Sequence, residues 1–111
     1  MKVAVIGSRG RTIDNLGDYL PETTTEIISG GSEGIDTCAR EYAVAHNIKF
    51  KEYLPDYEKY DKTALLMRSV SIIETADMVL AFWDGRSSVT KFVIDMCQDI
   101  GVPIKVYKLG K

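Results

Sequence analysis

Three turns in this chain combine glycine with serine, two of them with arginine as well, and each begins where an apolar run ends. Gly7-Ser8-Arg9-Gly10 follows residues 3–6, Gly30-Gly31-Ser32-Glu33-Gly34 follows residues 27–29, and Asp84-Gly85-Arg86-Ser87-Ser88 follows residues 78–83. Glycine lets backbone amides approach a ligand closely, guanidinium groups grip phosphate oxygens, and a helix that opens after such a turn favours an anion. In a parallel sheet with helical crossovers, all these turns emerge at the carboxyl edge of the strands. The pattern therefore predicts a site for a phosphorylated small molecule.

Each turn carries its own candidates. Gly7, Ser8 and Arg9 offer a close backbone, a hydroxyl and a guanidinium, although the same residues would serve a plain strand-to-helix turn. The spacing is neither the G-x-G-x-x-G of dinucleotide binders nor a Walker A motif, and Ser29 stands where a ribose-binding carboxylate would end the second strand. Gly30, Gly31 and Gly34 surround Ser32, a good N-cap, while Asp36 falls in the first helical turn, where a carboxylate suits the dipole. At the third turn Ser87, Ser88, Val89 and Thr90 open a helix with hydroxyls and free amides, beside Gly85. Trp83 stands ready to stack on a ring or to pack at the rim. Arg68 sits among Leu65, Leu66, Met67 and Val70, so it either snorkels to solvent or faces an anion. Glu33 and Asp84, with Asp56 and Asp61, are carboxylates that could reach the same edge, but spacing assigns none of them acid or base roles.

Strand and helix patterns alternate throughout, which predicts an α/β fold built on a parallel sheet. Strands are expected over 2–6, 25–29, 48–54, 78–83 and 102–107. Helices are expected over about 12–20, from near Ser32, over 62–74, and from the third turn to Gly101, with a polar loop at 55–61. The third strand alternates apolar residues with lysines and the fifth carries Lys105, so both read as edges. The fourth is continuously apolar and reads as central. Right-handed crossovers then leave the order 3-2-1-4-5, a Rossmann-like three-layer sandwich over residues 1–111. The crevice lies where the order reverses, between strands one and four.

Bulk properties narrow the function classes. The 111 residues suit one domain, and a net charge of −2 supplies no general drive toward nucleic acid or acidic lipid. Arg9, Arg11 and Arg86 leave room for a local basic patch. The first residues carry too short an apolar stretch for a secretion signal, and no run reaches the roughly 20 residues of a membrane span. The expectation is a cytoplasmic protein without membrane partners. Cys38 and Cys97 read as buried free thiols, with no metal-ligand spacing and no metal or other cofactor expected.

The three turns, in this order and with Arg68 between the second and third, resemble the SLOG superfamily. That group unites DNA-processing protein A (SMF) proteins with the Lonely-guy-type phosphoribohydrolases. The resemblance rests on Val-Ile-Gly-Ser-Arg at residues 5–9, Ser-Gly-Gly-x-x-Gly-Ile-Asp at residues 29–36 and Arg68-Ser69, and spans nearly the whole chain. It implies a Rossmann-like fold that binds nucleotides or derivatives such as ADP-ribose or NAD fragments, in a chain that pairs as a homodimer. The hydrolase branch looks like Pro-Gly-Gly-x-Gly-Thr-x-x-Glu at the third turn. Aligned on Val89-Thr90, that pattern sets Arg86 and Ser87 against two glycines and Val93 against the catalytic glutamate. The resemblance thus implies binding or sensing of a nucleotide-type ligand without catalysis. The alternative is an N-glycosidase with a substitute carboxylate, Glu33 or Asp84, working beside Arg68. Single-stranded DNA binding, as in the DNA-processing branch, is disfavoured by the acidic charge balance.

Overall fold

The apolar runs form strands in the computed structural model, which describes residues 1–31 and 33–109. They are β1 (Lys2–Gly7), β2 (Glu26–Ser29), β3 (Lys49–Glu52), β4 (Met78–Trp83) and β5 (Ile104–Lys108). All pair in parallel, in the order β3-β2-β1-β4-β5. The architecture is thus the Rossmann-like α/β arrangement that the strand patterns predict. Its logic is burial. Residues 3–6 of β1 and 78–82 of β4 are buried on both faces, whereas at the two edges β3 alternates half-buried residues with exposed lysines and β5 exposes Lys105, Val106 and Lys108.

Helices cover both faces of this sheet. The crossover from β2 to β3 is α1 (Ile35–Ala45); α2 (Tyr57–Tyr60) and α3 (Ala64–Thr75) join β3 to β4; α4 (Ser88–Ile100) joins β4 to β5. Because crossovers are right-handed and the strand order reverses after β3, α1 falls on one face and α3 with α4 on the other. One core cluster joins Val5, Ile27, Leu80 and Phe82 to Ile35 and Ala39 of α1. The second joins Ala4, Ile6, Ile28 and Ala81 to Ile72 and Ile73 of α3 and Val93 and Cys97 of α4. No helix among the described residues is long and apolar enough to cross a membrane.

Several boundaries depart from the sequence expectation, for identifiable reasons. No α-helix spans 12–20; only a 3-10 turn at Leu16–Asp18 forms there. Ile13, Leu16 and Leu20 have helical spacing, but Asp14, Asn15, Gly17 and Asp18 compete for turn conformations, and so short a helix is marginal. The irregular path delivers Tyr19 edge-on to Phe82 and Tyr107, at ring separations of 5.1 and 4.7 Å. These rings, with Phe82 stacked on Tyr107, cover β4 and β5 where α1 does not reach. The helix expected from Ser32 starts instead at Ile35, because its N-cap, Gly34, has φ 100° and cannot be helical. Ser32 itself lies outside the described residues. The loop at 55–61 contains α2, capped by the Asp56 side chain, which accepts from the Lys59 amide. Cys97 is buried as expected, but Cys38 is only half-buried.

Candidate functional site

The carboxyl ends of β1, β2 and β4 open into a cavity of about 430 Å³ beneath α3 and α4. That volume falls within the range of small-molecule sites, about 300–1,000 Å³. Each of the three turns contributes. Gly7 and Arg9 come from the first, Gly30 and Asp36 from the second, and Asp84 with residues 86–90 from the third. Its wall is apolar, made by Ile6, Leu65, Ile72, Val89 and Val93, with Ser69 and Arg68 interrupting it from α3.

Arg68 is the decisive side chain. It is only 8% exposed, and its Nη1 has no hydrogen-bond partner. A buried donor left unsatisfied costs roughly 1–3 kcal/mol, more when charged, so an acceptor supplied by a ligand would recover that loss. Burial pushes the guanidinium below the usual arginine value; Asp36 and Tyr57 act against that shift, and neighbouring Arg9 adds to it. It nevertheless stays cationic, as arginine does in proteins. Asp36 is equally buried and is held by Ser29, whose hydroxyl lies 2.8 Å from Asp36 Oδ1 and 2.6 Å from the Val5 carbonyl oxygen. That single hydroxyl therefore ties the start of α1 to the backbone of β1.

The glycines have distinct explanations. A methyl group on Gly7 would collide with Cβ, Cγ1 and Cγ2 of Ile35, so this glycine lets α1 sit down on β1. On Gly30 it would collide with Arg68 Nη1 and approach Asp36 Oδ2 to 3.1 Å. Gly30 is therefore the floor on which the guanidinium rests. The first turn folds over the start of α1 rather than leaving it open: Arg9 bridges Gly34, and the Gly10 amide donates to the Glu33 carbonyl at 3.4 Å.

The third turn is organised by a carboxylate. Asp84 Oδ1 accepts from the amides of Arg86 at 2.8 Å and Ser87 at 2.9 Å. Those two bonds hold Asp84 below the ordinary carboxylate range, with smaller help from the Ser8 hydroxyl and Arg11 against a desolvation effect of opposite sign. Ser87 is the N-cap of α4 and accepts from the Thr90 amide at 3.3 Å. The Trp83 indole N–H donates to the Ser87 carbonyl at 3.1 Å and so braces the turn.

Of the residues expected at the site, Gly7, Arg9, Gly30, Asp36, Arg68, Asp84, Ser87, Ser88, Val89 and Thr90 line the cavity. Ser8, Gly31, Gly34, Trp83, Gly85 and Glu33 are not among the lining residues. Ser8 is buried and joins the β1 and β4 ends, accepting from the Asp84 amide at 3.0 Å. Gly31 faces Leu54, Gly85 lies near Lys108, and Glu33 is exposed. The expectation omitted Leu65, Ser69 and Ile72, yet with Arg68 their spacing of three to four residues marks one helix face. Val93, aligned above with a catalytic glutamate, does reach the cavity wall, as an apolar group. Among the described residues no group of three or more His, Cys, Asp or Glu is placed to hold a metal ion. Comparisons with protein-family models, with curated proteins and with solved structures find no match to this chain.

Proposed function

We propose that this domain binds a nucleotide or nucleotide-derived phosphorylated ligand, of the nucleoside monophosphate or ADP-ribose type, without chemically altering it. The observation that carries the reading is Arg68: a buried cation whose Nη1 has no hydrogen-bond partner, in the wall of a cavity sized for such a ligand. The apolar wall suits a base, and the convergence of three strand-end turns at one edge supports kinship with the SLOG superfamily. A thermal-shift screen against AMP, ADP-ribose and NAD tests it. A ligand present at a hundred times its Kd contributes about 2.7 kcal/mol to stability, and no shift with any of them would sink the reading.

The competing N-glycosidase reading needs a carboxylate free to act at the sugar. Of its two candidates, Glu33 is exposed and away from the cavity, and Asp84 is committed to two backbone amides. Asp36, the other carboxylate among the lining residues, is held by the Ser29 hydroxyl at 2.8 Å. Steady release of free base from AMP, abolished in Arg68→Ala, would favour the enzyme.

A further inference from the structure

We infer that the cavity has a built-in polarity: a ligand's phosphate seats at the Arg68 end, while the turn before α4 accepts hydrogen bonds from sugar hydroxyls. The inference rests on the nucleotide-type reading above and adds an orientation to it. Its basis is the occupancy of the α4 turn. A helix N-terminus with a preceding turn draws anions because its amides point outward unpaired. Here the amides of Arg86 and Ser87 already serve Asp84 Oδ1, and the Thr90 amide serves Ser87 Oγ. The seat that a phosphate would take carries the protein's own carboxylate. Ser88 and Val89 still have first-turn amides, but an anion reaching them would share the turn with that fixed negative charge.

An ionised carboxylate is acceptor-only, so what Asp84 can receive is a hydroxyl or amino donor. The opposite need exists at Arg68, whose Nη1 is a donor without an acceptor; there the Asp36 carboxylate is offset by two guanidinium groups, Arg68 itself and nearby Arg9. Ile6, Leu65, Ile72, Val89 and Val93 supply the apolar part of the lining. A nucleoside monophosphate meets both needs when its phosphate lies over Gly30, the ribose hydroxyls next to it face Asp84 and the base rests on the apolar lining.

Isothermal titration of AMP, adenosine and inorganic phosphate into wild type, Arg68→Met and Asp84→Asn tests the orientation. Asparagine keeps a carbonyl oxygen for the two amides, so the turn survives while its charge is lost; melting curves check both folds, and Arg68→Lys retains the charge. Arg68→Met is expected to weaken AMP about thirtyfold and adenosine no more than about threefold. Asp84→Asn is expected to weaken AMP and adenosine by the same factor. If Asp84→Asn instead tightens AMP but not adenosine, phosphate sits on the α4 turn and the orientation is wrong. Phosphate binding that disappears in Arg68→Met and persists in Asp84→Asn supports the polarity even where AMP itself does not bind. If neither AMP, adenosine nor phosphate binds wild type, the nucleotide reading and the polarity fall together.

Discussion

The glycine-rich turns after β1 and β2 and the glycine-poor turn after β4 meet at the same cavity but do different work there. The first two are closed on each other: Arg9 bridges Gly34, Gly10 bonds the Glu33 carbonyl, and Gly7 is pressed under Ile35. Their glycines chiefly let one part of the chain approach another. The third turn keeps its shape through side chains, with Asp84 and Ser87 capping amides and Trp83 holding the Ser87 carbonyl. It also supplies most of the loop lining of the cavity. Glycine content is therefore a poor guide to where a ligand would touch this protein. A glycine reports a close approach, and the approaching group can be a neighbouring isoleucine or arginine as readily as a phosphate.

Substitution of two glycines tests this contrast most sharply. Gly7→Ala drives a methyl group into a fully buried, β-branched side chain, so overpacking should cost about 2–3 kcal/mol. That corresponds to a fall in Tm of roughly 10 °C or more for a domain of this size, read by calorimetry. A change within a degree or two would mean that α1 relaxes freely and that Gly7 is not a packing glycine. Gly30→Ala should act differently. Its backbone lies outside the positive-φ region, and what it meets is the far end of a flexible side chain. Displacing the Arg68 guanidinium should weaken AMP binding about tenfold, or about 1.4 kcal/mol, with little loss of stability. Equal melting losses for the two variants would erase the distinction drawn here.

Smaller effects probe the third turn. Ser87→Ala removes the N-cap of α4 and should cost about 1 kcal/mol, measured by urea unfolding. Asp84 adds a pH dependence. Its folded pKa is depressed, so its contribution is complete above the unfolded value of about 3.9 and is lost as pH falls through the folded value. The stability gap between wild type and Asp84→Asn should therefore shrink between pH 7 and strongly acidic solution. A gap that stays constant would show that charge at Asp84 is irrelevant to the turn. Least costly of all, a thiol reagent on the native protein should label half-buried Cys38 well before Cys97, which is fully buried and whose thiol burial pushes upward.

Legibility from sequence followed the strength of the local signal. β4 was readable to its ends because six apolar residues in a row, closed by Asp84-Gly85, leave little room for another assignment. The sheet order was readable because lysines mark the edge strands and crossovers have one hand. Residues 12–20 misled, since three apolar residues at helical spacing outweighed four turn-formers between them. What actually directs that segment is the demand of Phe82 and Tyr107 for Tyr19, a contact spanning most of the chain. Within the site, the arginine and the three turns were visible as residue types. The role of each glycine was not, because it depends on which side chain from a distant segment lies against it.

Residue order alone sufficed for the parallel sheet, its edges, its central strands and the edge at which the turns gather, since these follow from local periodicity and chain handedness. Only three-dimensional packing could turn Arg68 inward over Gly30, spend the Asp84 carboxylate on the α4 turn and seat Ile35 on Gly7. Those outcomes depend on distances between atoms far apart in the chain, and burial makes such distances decisive. In water a lone guanidinium would find partners anywhere; enclosed beneath two helices, it has to wait for one of the right shape and charge.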